Sequence, residues 1–87
     1  MKQRVWEYEL SPDVSTFEMP EGAKVLTVQA HGGVPMLWSL VDPDRPRNAR
    51  EFLTVGTGDP IDTDPLLLTY VATFQLGPLA FHVFEKK

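Results

Sequence analysis

The chain contains no cysteine. This excludes disulfides, cysteine-ligated zinc and a thiol nucleophile. Histidine is scarce as well, with 2 among 87 residues, so a metal or general-base site would need His31 and His82 to converge with a carboxylate. No apolar run approaches the ~18–20 residues of a membrane span. The opening Met1-Lys2-Gln3-Arg4-Val5-Trp6-Glu7 lacks the apolar core of a secretory signal. No membrane role is expected, and a cytoplasmic location is. Positive charge is in short supply: the net charge is -4 and the pI about 4.9. Nucleic-acid binding requires a basic surface, so direct binding of DNA or RNA is not expected. No window carries the 3.6-residue apolar period of an amphipathic helix.

What is present points to strands. A length of 87 residues holds one domain with one core and leaves room for a homo-oligomer. With 43% hydrophobic and 23% charged residues, the composition is that of an ordered globular protein. The 8 prolines suit turns and strand edges rather than helix interiors. Val5 to Leu10 alternates, with Trp6, Tyr8 and Leu10 on one face and Glu7 and Glu9 on the other. Thr16 to Met19 repeats the pattern, with Phe17 and Met19 inward.

Two hairpins stand out. Lys24–His31 and Val34–Val41 flank Gly32-Gly33, a two-residue loop suited to a type I′ or II′ turn. That register places Val28 opposite Leu37 and Thr27 opposite Trp38. One face then carries Leu26, Val28, Ala30, Leu37 and Val41. The other carries Val25, Thr27, Gln29, His31, Met36, Trp38 and Leu40, and this hairpin is expected to be covered on both sides. Leu66–Gln75 and Leu79–Glu85 flank Gly77-Pro78, which fits a type II′ turn. Its core face is expected to hold Tyr70, Ala72, Phe74, Phe81 and Val83. Asp42–Ala49 reads as a polar loop followed by a strand over Arg50–Val55. The sum is an all-β fold over residues 1–87, a small antiparallel sandwich or barrel of six to seven short strands with two tight hairpins.

Signals for chemistry are weak. Gly56-Thr57-Gly58 lacks the lysine and helix of a phosphate loop, and a turn is expected there. Asp59, Asp62 and Asp64 match no calcium-loop spacing. No nucleophile elbow surrounds Ser11, Ser15 or Ser39. The chain is therefore expected to be no enzyme, with no catalytic residues, no cofactor and no metal.

Two groups of binding candidates remain. Arg45, Arg47 and Arg50 cluster on and beside the polar loop and could clamp a phosphate or carboxylate, with Asp42 and Asp44 as the competing surface partners. Met36 and Trp38 beside Gln29 and His31 mix large apolar with hydrogen-bonding groups, as interfaces and ligand pockets do.

Met19-Pro20-Glu21-Gly22-Ala23-Lys24-Val25-Leu26, leading into Leu37-Trp38-Ser39-Leu40-Val41-Asp42-Pro43, is one of several motifs pointing to a family. The others are Val55-Gly56-Thr57-Gly58 with Pro60-Ile61, Thr73-Phe74-Gln75, and Phe81-His82-Val83-Phe84-Glu85. Together they resemble an uncharacterised family of roughly 90-residue proteins of bacteriophages, prophages and some bacteria. The resemblance implies a phage setting inside a bacterial host cell and brings no activity or functional residues with it. The expectation is a phage or prophage accessory protein that acts by binding, as a host-defence antagonist that blocks a host protein or sequesters a nucleotide signal. The alternative is a minor virion or assembly component.

Overall fold

The computed structural model describes residues 2–87. Seven strands run in chain order: β1 (Arg4–Glu9), β2 (Asp13–Pro20), β3 (Lys24–His31), β4 (Val34–Val41), β5 (Arg47–Gly56), β6 (Leu68–Leu76) and β7 (Leu79–Lys86). The only helical turn among the described residues is the 3-10 segment Pro65–Leu67, whose Leu66 N–H donates to the Asp64 carboxylate at 2.9 Å. All pairings are antiparallel. Sheet A has the order β1-β4-β3 and sheet B the order β2-β5-β7-β6. The two sheets face each other without closing into a barrel, so the fold is the sandwich of the two expected alternatives. On one side β3 runs close to β6. On the other, β1 and β2 are free edges joined by Leu10-Ser11-Pro12.

Turn chemistry fixes both hairpins. Gly32 and Gly33 have φ of 61° and 81°, and two positive values in succession make this a type I′ turn. Gly77 has φ of 61° and is followed by Pro78, whose ring holds φ negative, and a positive value followed by a negative one fits a type II′ turn. The pairs Val28↔Leu37, Thr27↔Trp38, Phe74↔Phe81 and Thr73↔His82 form in the expected register.

The core between the sheets is built from Leu10, Met19, Ala23, Val28, Leu37, Val41, Phe52, Phe74 and Val83. Trp6, Tyr8 and Phe17 pack against it, which places the alternating faces of β1 and β2 as expected. Each hairpin also contains a β-bulge, and each bulge moves residues out of their expected places. In β3 the register shifts between Val25 and Thr27. Leu26 is the extra residue and is 47% exposed, whereas Val25 packs against the core. In β6 the shift lies between Tyr70 and Ala72, so Val71 packs inward and Tyr70 is 59% exposed. An inserted residue reverses inside and outside for everything beyond it, because side chains alternate with period two.

Strand β5 also starts earlier than expected. Arg47, Asn48 and Ala49 pair with Pro20, Met19 and Glu18 of β2, so Arg47 and Arg50 lie on a strand and only Arg45 stays in the loop.

Candidate functional site

The outer face of sheet A is assembled by register from three strands. Its rows are Val5, Leu40 and Lys24; then Glu7, Trp38 and Thr27; then Glu9, Met36 and Gln29, with His31 opposite Val34 at the hairpin end. No described element lies over this face. The expected cover on both sides of the β3–β4 hairpin is therefore present only on the core side, since two layers use up all seven strands. Met36, Trp38 and Leu40 are half-buried by side chains of the same face, and Val5 is 58% exposed.

Trp38 sits at the centre of this face. Its indole N–H donates to Glu7 Oε2 at 3.0 Å, and the His31 ring lies 6.4 Å from it at a 50° tilt. An apolar strip running through Leu40, Trp38 and Met36 is thus bordered on the β1 side by two carboxylates, Glu7 and Glu9. The four candidates Gln29, His31, Met36 and Trp38 share one surface. They do so because Gly32-Gly33 sets the register of β3 against β4.

The arginines do not form one cluster. Arg45 donates to Glu21 Oε1 at 2.8 Å and lies in a shallow recess with Lys24, Leu40 and Asp42 at one end of the sheet A face. The Arg47 guanidinium lies 4.9 Å from the centre of the Trp6 ring, a cation–π arrangement. Arg50 points inward. It grips Glu85 with two hydrogen bonds of 2.6 and 2.7 Å and donates a third to the Ala23 carbonyl at 2.5 Å. The Glu85 hydrogen bond raises the affinity of Arg50 for its proton against the opposing effect of burial. The expected Asp42 and Asp44 partners are displaced by Glu21 and Glu85. Asp42 accepts the backbone N–H of Asp44 at 3.1 Å instead, closing its own turn.

The histidines lie on opposite outer faces of the sandwich. His82, on sheet B, engages Thr57 Oγ1 through Nε2 at 2.7 Å and Thr73 Oγ1 through Nδ1 at 3.0 Å, and Thr73 meets the Tyr70 hydroxyl at 2.8 Å. Asp59 accepts the Gly56 N–H at 3.2 Å, closing a turn at Gly56-Thr57-Gly58. No trio of His, Asp or Glu side chains able to hold a metal gathers among the described residues.

A second surface was not singled out from the sequence. Val14, Leu53, Phe84 and Tyr70 form a continuous row across the outer face of sheet B, with the Tyr70 and Phe84 rings 5.8 Å apart. The alternation of apolar Leu53 and Val55 on the face opposite Phe52 was the available signal. The β6 bulge hid the contribution of Tyr70.

No curated protein and no solved structure matches the chain. A family model described as a domain of unknown function, DUF7352, matches residues 1–87. The chain belongs to the DUF7352 family.

Proposed function

We propose that this protein is a binding module whose working surface is the outer face of sheet A and whose target is a protein with a basic rim around an apolar patch. One observation carries the reading: Trp38 stands in an uncovered apolar strip bordered by Glu7 and Glu9. Tryptophan supplies more binding energy per residue than most side chains when a partner desolvates it. The flanking carboxylates and the net charge of -4 favour a positively charged partner. Action by binding rather than catalysis is supported by the separation of the two histidines on opposite faces. The phage setting, and within it antagonism of a host defence protein, rests on the sequence resemblance alone. Sequestration of a nucleotide is the less supported version, because Arg45 and Arg50 are already paired with carboxylates and Arg47 and Arg50 lie away from Trp38. The structural alternative, a minor virion component, would appear as the protein in purified particles.

Photo-crosslinking from single positions tests the reading. A benzophenone side chain at Met36 or Leu40 should give a discrete protein adduct in bacterial cells, and one at Leu53 or Phe84 should not. Glu7→Lys with Glu9→Lys should abolish the adduct. Equal adducts from both faces, or none from either, would remove the proposal.

A further inference from the structure

One end of the sandwich is open. The corner that joins β1 to β2 meets the tip of the β3–β4 hairpin there, pinned by a hydrogen bond from the Leu10 N–H to the Pro35 carbonyl at 3.0 Å. Opposite lies the β6–β7 hairpin. Between them is a cleft of about 380 Å³, at the small end of the roughly 300–1,000 Å³ typical of ligand sites. Its walls are Leu10, Val34, Pro35, Phe74, Leu76 and Phe81. The Phe74 and Phe81 rings are stacked with centres 5.5 Å apart, which gives one wall a flat aromatic edge. Among the described lining residues Glu9 alone carries a charge.

We propose that this cleft binds a small hydrophobic cation, an amine with an aromatic or short alkyl body. Apolar walls around a space this size gain by shedding water onto an apolar guest. The charge of the guest follows from Glu9. A carboxylate on a net negative protein, with no cation among the described residues lining the cleft, attracts an ammonium and repels an acid. The apolar body lies against Phe74 and Phe81, and the ammonium stays in water beside Glu9. The cleft shares Glu9 and Val34 with the margin of the Trp38 surface, whereas its β6–β7 wall of Phe74, Leu76 and Phe81 lies outside that surface.

Amide NMR titration of the full chain with three phenyl probes of similar size tests the site. 2-Phenylethylamine should shift the Leu10, Val34, Leu76 and Phe81 amides saturably. 2-Phenylethanol should bind about threefold more weakly, the ~0.6 kcal/mol of an exposed ion pair. Phenylacetate should bind about tenfold more weakly, or ~1.4 kcal/mol. Glu9→Gln should erase the preference for the amine over the alcohol, and Leu76→Trp should fill the cleft and remove binding of all three. If Leu76→Trp fails to fold, Ser11→Trp at the exposed β1–β2 corner, also outside the Trp38 face, narrows the mouth instead. Equal binding of amine and acid, shifts scattered over the outer faces, or no saturable shifts would each overturn the proposal. Because Leu76→Trp leaves the Trp38 face intact, failure here and failure of the crosslinking test are separable.

Discussion

Replacing Arg50 should be the most damaging change of a charged side chain in this protein. Arg50 makes two charge-assisted bonds to Glu85 on the neighbouring strand and one to the Ala23 carbonyl at the entry to sheet A. It therefore ties the two sheets together as well as two strands. Truncating one partner of a fully buried pair costs about 3–5 kcal/mol. Here the Arg50 and Glu85 side chains keep 24% and 21% exposure, so water partly rescues the orphaned carboxylate and about 2–3 kcal/mol is the expected loss for Arg50→Met. Methionine keeps the apolar stem, so the loss reports the charge and its hydrogen bonds. For a domain of this size that corresponds to a fall in Tm of roughly 10–20 °C. Urea unfolding at neutral pH of wild type, Arg50→Met, Glu85→Gln and the double variant closes a cycle, and a coupling of about 1–2 kcal/mol is expected. Single-variant losses below about 0.5 kcal/mol would refute the reasoning, since that is the range of an exposed surface pair.

Three further outcomes follow from buried groups and from the bulges. The Thr54 hydroxyl is buried without a hydrogen-bond partner, so Thr54→Val should stabilise by about 1 kcal/mol in urea unfolding; a loss instead would mean the hydroxyl is satisfied. Leu26→Lys should change stability by less than about 0.5 kcal/mol while Val25→Lys costs about 2 kcal/mol or more. Similar costs for both would argue against the β3 bulge. Burial raises the Tyr8 hydroxyl above its ordinary value of 10.0, against the lowering influence of Arg47 and Arg50. The folded state thus holds this proton more tightly than the unfolded chain, and the stability it confers is complete below pH 10 and is lost as pH rises through the folded value. Tyr8→Phe should flatten that alkaline decline in unfolding curves, and an unchanged decline would assign it to other groups.

What could be read from the sequence was whatever a tight turn or a local alternation specifies. Gly32-Gly33 and Gly77-Pro78 each fix a register that holds for the residues near the turn, which is why Val28, Leu37, Phe74 and Phe81 fall where expected. Bulges carry no comparable local signal, so Leu26 and Tyr70 reverse face. Pairing between distant strands was also out of reach. Glu85 lies 35 positions from Arg50, and nothing near either residue announces the other, so the arginines resembled a loop cluster until β5 paired with β2 and β7. The Met36–Trp38 surface was legible because it lies within one hairpin. Its border of Glu7 and Glu9 was not, because it depends on β1 joining β4.

The most direct measurement is isothermal titration of the crosslinked target protein, once identified, against wild type, Trp38→Ala and Phe84→Ala. Trp38 is central to the proposed surface, and removing it should cost about 2 kcal/mol or more, roughly thirtyfold in Kd. Phe84→Ala, on the opposite sheet, should leave Kd within about twofold, the scatter expected away from an interface. Loss of binding in Phe84→Ala with Trp38→Ala unaffected would contradict the account.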